Sequence, residues 1–374
     1  MSSRSRRLQD HFADLTDPRR RKVVYPLINV VTIAICAVIA GADDFVSIAA
    51  WGREKRQWLA TILDLKNGIP SHDRFNAIFA ALNPAEFEKC LLSWITALHE
   101  ITSGQVVAID GKTLRGSFDK ASGKSAIHMV SAWATANHIS LGQVVVDAKS
   151  NEITAIPKLL ELLEISGSVV TIDAMGCQTA IAEAIVAKKA DYVLAVKENQ
   201  PTLYAGIEAH FLDHLEDDFA RVKVSRHETF EHGHGREERR TYFVCDVPAD
   251  LPCRERWKKL KRIGVAISDT VRGGKPTDDV RYYIVSKKMS ARSFGAAVRD
   301  HWGIENRLHW QLDVTFGEDH CRTRKGLADA NFSILRRTAL SLLKNETTVK
   351  VGMKNKRLTA GWNDSYLEKV LFDN

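Results

Sequence analysis

Two stretches decide the fold: Gln105-Val106-Val107-Ala108-Ile109-Asp110-Gly111 and Val169-Val170-Thr171-Ile172-Asp173. Each is a short apolar run rich in β-branched residues that ends on a carboxylate, the pattern of a buried strand carrying an acid to a sheet edge. Residues 129–136 and 140–146 read as two more strands around a tight turn at Asn137-His138, and 156–165 as a helix. After the second stretch come a helix over 179–189 and a strand over 191–196.

Three meandering strands, then helix, strand, helix, strand, describe a mixed α/β sheet in the order of a ribonuclease-H-like core. Upstream, residues 1–102 read as an all-helical domain, with helices over 27–40, 45–65, 74–82 (Ser71 as N-cap) and from Pro84 to about residue 99, closed by a turn at Ser103-Gly104. Downstream, residues 203–290 read as β-rich, with strands over 221–225, 239–247, 260–267 and 281–286 and turns at Gly233-His234-Gly235 and Gly273-Gly274. Helix returns over 293–312 and 327–343. The expected domains are thus 1–102, the first part of the core over 103–202, a β-rich insertion over 203–290, core completion over 291–345 and a basic tail over 346–374.

Composition bounds the function. A chain of 374 residues with 45% hydrophobic and 26% charged residues is globular, which excludes disordered and collagen-like classes. Six scattered cysteines, none in CxxC spacing, indicate free thiols in a reducing cytosol rather than a zinc ribbon or a disulfide framework. Residues 23–42 carry no formal charge and follow Arg19-Arg20-Arg21-Lys22, which suits a membrane anchor in length. Pro26, Asn29 and Thr32 interrupt the run, and a buried helix accounts for it, so no membrane association is expected.

Two strand-end carboxylates from neighbouring strands make a hard, oxygen-rich site suited to Mg²⁺. Taken singly, Asp110 or Asp173 reads as a turn or helix cap; their joint occurrence in this strand order favours the site. A third acid is needed from a helix beside the sheet. His301-Trp302-Gly303-Ile304-Glu305-Asn306-Arg307-Leu308-His309-Trp310 offers Glu305, with His301, Glu305 and His309 on one α-helical face. Glu318 and Asp319 compete for that place, and a solvated helix face or a His/Glu transition-metal site is the bland alternative.

At these residues a resemblance emerges. Ile109-Asp110-Gly111-Lys112-Thr113-Leu114-Arg115-Gly116-Ser117 resembles the first-aspartate motif of insertion-sequence transposases of the H-repeat-associated (ISAs) group. Ile172-Asp173-Ala174-Met175 resembles the second, Val196-Lys197-Glu198-Asn199-Gln200-Pro201 the element downstream of it, and His301 to Val314 the block holding the glutamate. Asp17-Pro18-Arg19 and the helix after it are similar to the associated helical domain, so the likeness spans nearly the whole chain. It implies a DDE core with a β-strand insertion. About 62 residues lie between the aspartates and about 131 between Asp173 and Glu305, room for that insertion. Related groups place a Tyr and an Arg before the glutamate and a Lys after it; here Val298, His301 and Leu312 stand there.

The implied activity is cleavage of DNA at element ends and joining to target DNA, with Mg²⁺ (Mn²⁺ as substitute) held by Asp110, Asp173 and Glu305. Partners are terminal inverted repeats and target DNA, with a homodimer assembled on DNA in the bacterial cytoplasm at the nucleoid. Lys112, Arg115, Lys197, Asn199, His301 and Arg236 are the expected DNA contacts. Arg236 lies beside Gly233-His234-Gly235, whose neighbours His227 and His232 also admit a metal reading, and Trp257 is either a base-stacking or a core residue. The rival functions are a nuclease without strand transfer and an inactive DNA-binding relic. Net charge is +7, concentrated at the ends: seven basic against three acidic residues over 1–22, and eleven against five over 320–374. Backbone-binding termini are therefore expected, with the salt dependence of DNA binding reduced by changes at Arg19 to Lys22.

Overall fold

The computed structural model describes residues 8–20, 23–98, 104–118, 125–146, 150–233 and 235–372. Ser103, Arg21, Lys22, His234 and residues 1–7, on which some sequence expectations fall, lie outside them. Nine strands are present among the described residues: β1 (Val106–Leu114), β2 (Ile127–Ala134), β3 (Ile139–Val145), β4 (Val169–Ile172), β5 (Asp191–Val196), β6 (Val224–Gly233), β7 (Arg236–Asp246), β8 (Arg262–Arg272) and β9 (Lys275–Val285). The chain forms two units, neither continuous in sequence: residues 1–102, 112–148 and 305–374 make one, and 103–111 and 149–304 the other.

In the first unit the strand order is β3-β2-β1, with β2 and β3 antiparallel. The N-terminal region is helical, as expected, and is built around helix Leu27–Ile39, buried at every residue from Asn29 to Ile39. A helix apolar on all sides needs cover on all sides. It packs against helix Ala328–Asn345, which also meets helices His72–Ala81 and Pro84–Leu98. Asn331 pins that arrangement by donating from Nδ2 to the carbonyls of Phe79 (2.8 Å) and Leu82 (2.9 Å). Arg357, buried and stacked 4.1 Å over Phe316, donates to the Val38 carbonyl at the end of the apolar helix (3.1 Å) and to Asp43 Oδ1 (2.7 Å). No helix among the described residues is long and apolar enough to cross a membrane. The expected basic tail is instead two helices, Met353–Trp362 and Asp364–Phe372, because Ala360, Tyr366, Leu367 and Val370 have core to bury into.

In the second unit the order is β1-β4-β5-β9-β8-β7-β6. β1, β4 and β5 run parallel, joined through helices Glu152–Leu162 and Thr179–Ala187. With the antiparallel strands that follow β5 this is a mixed sheet, consistent with a ribonuclease-H-like core. Residues 203–290 are not β-rich from their start. Helix Pro201–Leu215 comes first, burying Leu203, Ile207 and Phe211 from one face. The four strands then form an antiparallel meander whose last member, β9, pairs with β5, so the insertion extends the core sheet. Helix Ala291–Gly303 covers it, with Phe294, Ala297 and Val298 against Val169, Val193, Tyr242 and Tyr283.

Candidate active site

Asp110 and Asp173 sit at matched positions. Ile109 of β1 is opposite Ile172 of β4 in parallel register, so the next residue on each strand is the acid. Asp173 follows the carboxyl end of β4, where open α/β sheets take their ligands. β1 runs on past Asp110 to Leu114, so Asp110 lies where the parallel pairing with β4 stops rather than at a strand end. Both acids are half-buried. Asp173 is also a cap: its Oδ1 accepts from the amides of Met175 (3.1 Å) and Gly176 (3.3 Å). The cap thus uses one carboxylate oxygen, and the bland and functional readings of this residue are compatible.

The loop after Asp173 is braced from the segment following β5. Asn199 Nδ2 donates to the Ala174 carbonyl (2.6 Å) and Gln200 Nε2 to that of Cys177 (2.9 Å). Asn199 therefore helps hold the loop in place while remaining exposed. Lys197 beside it is exposed.

His301, near the end of helix Ala291–Gly303, places Nδ1 3.2 Å from Thr171 Oγ1 on β4. Burial lowers its pKa to about 4 against the opposing pull of the Asp173 charge, so the imidazole is neutral at pH 7. A neutral ring anchored to a strand does not supply the positive charge that an arginine would bring to that position. The helix then widens into a π-turn, Ile304–His309, that carries Glu305. A π-turn holds an extra residue per turn and is often found at functional sites. It removes the single α-helical face expected for His301, Glu305 and His309. Glu305 is exposed, while burial and the charges of Arg337 and Lys112 push His309 down to about 3.

Lys112 differs most from expectation. It is 8% exposed, and its ammonium is held by Asp313 and, at 2.8 Å, by Glu318 Oε2. A lysine so enclosed is a structural cation, not a DNA contact. Glu318 is buried too, its Oε1 accepting from Ser333 Oγ at 2.8 Å. Burial works to raise its pKa, but the charges of Lys112, Arg337 and Arg336 outweigh that and bring it to about 2. Both Glu318 oxygens are taken, which removes it as a rival to Glu305. Asp319 faces Arg115 Nε at 3.8 Å, and Arg115 is largely exposed.

On the β6–β7 hairpin Arg236 pairs with Glu238, Arg239 with Glu228, and Arg240 with Glu231 and Glu238, so its cations are largely answered within the hairpin. Trp257 is buried and belongs to the core. Among the described residues no group of three His, Cys, Asp or Glu side chains is gathered as a ready metal cage. The two aspartates in matched register remain a hard donor pair that suits a divalent cation.

Residues 101–342 match the family described as Transposase DDE domain, and residues 9–95 match the DDE_Tnp_1-associated domain that accompanies it. The chain is 43% identical over 369 residues to "Putative transposase YncI" of Escherichia coli O157:H7, covering 97% of this chain and 94% of that protein. It is 40% identical over 376 residues to "H repeat-associated putative transposase YhhI" of Escherichia coli (strain K12), covering 98% of each. An "Uncharacterized protein in dhlA 3'region" of Xanthobacter autotrophicus is 37% identical over 285 residues, 74% of this chain and 92% of that protein.

Proposed function

Because the chain belongs to the DDE transposases, we propose that Asp110, Asp173 and Glu305 are its catalytic carboxylates, and that it cuts DNA at the ends of an insertion element and joins them to a target. The observation that supports this reading is the matched register of Asp110 and Asp173 on adjacent parallel strands. Glu305 supplies the third acid from the π-turn, where its exposure leaves it available to a cation. Divalent metal ions serve this family, and Mg²⁺, with Mn²⁺ as substitute, would supply the charge that activates the attacking oxygen and steadies the leaving one.

In cleavage, water attacks a phosphodiester and the P–O3′ bond breaks, leaving a 3′-hydroxyl and a 5′-phosphate. In joining, that 3′-hydroxyl attacks a target phosphodiester and displaces the target's 3′-oxygen. Asn199 and Gln200 keep the Asp173 loop fixed through both steps, and Arg115 and Lys197 offer exposed cations for the backbone. A homodimer on paired element ends, working in the bacterial cytoplasm at the nucleoid, completes the picture.

The test is strand cleavage of duplex DNA carrying the gene's own flanking sequences, with Mg²⁺ present. Asp110→Asn, Asp173→Asn and Glu305→Gln should each abolish nicking while leaving the circular dichroism spectrum unchanged. Retained nicking by Glu305→Gln would move the third acid to Asp319. Nicks without joined products would make the chain a nuclease of the same fold.

A further inference from the structure

Within the basic stretch over 320–374, the first unit displays a loop that the proposed catalytic site does not use. Between the short 3₁₀ turn Glu318–His320 and helix Ala328–Asn345, the chain runs Cys321-Arg322-Thr323-Arg324-Lys325-Gly326-Leu327. Arg322 and Lys325 are exposed, and among the described residues neither has an ion pair.

The loop is fixed at both ends by glycines whose missing side chains are required. A Cβ on Gly116, in the turn after β1, would lie 2.4 Å from the Cys321 carbonyl oxygen and 2.8 Å from that of Asp319. Gly326, at φ +53°, would place one 2.4 Å from the Ala80 carbonyl oxygen, which instead accepts from the Leu327 amide at 3.0 Å. In the middle, Arg324 donates from Nε to the Gly116 carbonyl (3.2 Å) and lies 5.2 Å over the Phe118 ring. Cations on a loop fastened in this way lose little conformational freedom when they meet a ligand.

A cleft of about 690 Å³ opens beside the loop, walled by His320, Arg322 and Lys325 on one side and by His72, Asp43 and Asp44 on the other. Of the two acids, Asp43 is paired with Arg357 (2.7 Å), and Asp44 keeps its charge while capping helix Phe45–Glu54 by accepting from the Ser47 amide (2.7 Å). Against them stand the three cations Arg322, Arg324 and Lys325 along the cleft. The balance along the cleft is positive, and cations spread along a loop rather than gathered in an enclosed pocket suit a polyanion.

We propose that the loop Arg322-Thr323-Arg324-Lys325 is a binding site for the phosphate backbone of duplex DNA. It rests on the transposase reading only for the identity of the polyanion; the charge, exposure and fixation of the loop do not depend on catalysis. The experiment is fluorescence anisotropy of the full chain with duplex DNA across a salt series in EDTA, with Asp110→Asn as background so that no strand is cut. The double variant Arg322→Ala/Lys325→Ala should lower the slope of log affinity against log salt by about 2 and weaken binding on the order of 10-fold at moderate salt. The charge-keeping variant Arg322→Lys/Lys325→Arg should retain the slope. An unchanged slope in the alanine variant overturns the proposal, as does equal loss in the charge-keeping one, which would make loop shape rather than charge responsible. Retained nicking by Asp110→Asn would sink the catalytic assignment while leaving the salt slopes to decide this site.

Discussion

Lys112 shows how far one residue's role can lie from its immediate sequence. It follows Asp110-Gly111 in a motif rich in cations, and its position suggests a phosphate contact. Its carboxylate partners lie 201 and 206 residues further on, a separation that no local pattern reveals. Removing one member of a buried ion pair leaves the other charge uncompensated, so Lys112→Ala should cost about 3–5 kcal/mol in urea unfolding. A loss near zero would return Lys112 to the surface. The strands that carry the aspartates, by contrast, are legible because an apolar β-branched run is a local signal, although β1 runs on past Asp110 to Leu114. His309 makes a second prediction at this scale. Its folded pKa of about 3 lies below the ordinary value near 6.5, so the folded state binds fewer protons between those pH values. Its contribution is fully present above about pH 6.5 and is lost as pH falls toward 3, by up to about 1.4 kcal/mol per pH unit. His309→Gln should flatten that part of the thermal-stability profile; an identical profile would count against its buried, neutral state.

Elements with one dominant signal are legible in the sequence, and those with mixed signals are not. Helix Leu27–Ile39 is 13 residues long, about 20 Å, against the roughly 30 Å of a bilayer's hydrocarbon core. Its apolarity reflects cover by other helices, and Ile33, fully buried, tests this: Ile33→Ala should destabilise the chain by about 2–5 kcal/mol in denaturant unfolding. A change within experimental error would mean that the helix is not core. Helix Pro201–Leu215 is hard to read although Leu203, Ile207 and Phe211 repeat at helical spacing, because Glu208, His210, Asp213 and His214 interrupt the apolar pattern. Strands β8 and β9 run beyond their apolar halves, since paired backbone and the Gly273-Gly274 turn, both residues at positive φ, carry them to Arg272 opposite Lys275. Register and turn geometry hold such a ribbon, and neither shows in side-chain hydrophobicity. The π-turn was equally hidden: Ile304 to His309 reads as ordinary α-helix residue by residue.

For the whole molecule, the charge balance of +7 divides differently in space than in sequence. Of the cations over 320–374, Arg336, Arg337, Lys356 and Arg357 are buried and neutralise carboxylates or cap carbonyls. Arg19 at the other end is bound to Asp17 and to the Tyr25 carbonyl (2.7 Å). The positive surface is therefore narrower than a count over the termini implies, and in the carboxyl-terminal stretch Arg322 and Lys325 are among the cations left for a partner.

The order of synthesis matters because helix Ala328–Asn345 supplies the cover for helix Leu27–Ile39. The amino-terminal helices leave the ribosome some three hundred residues before the partner that shields them. A gene copy broken by a stop codon before Ala328 would yield a chain whose most apolar helix stays uncovered, fit for chaperones and proteases. The truncated products of such decayed copies would then be degraded instead of persisting as folded competitors for the same DNA.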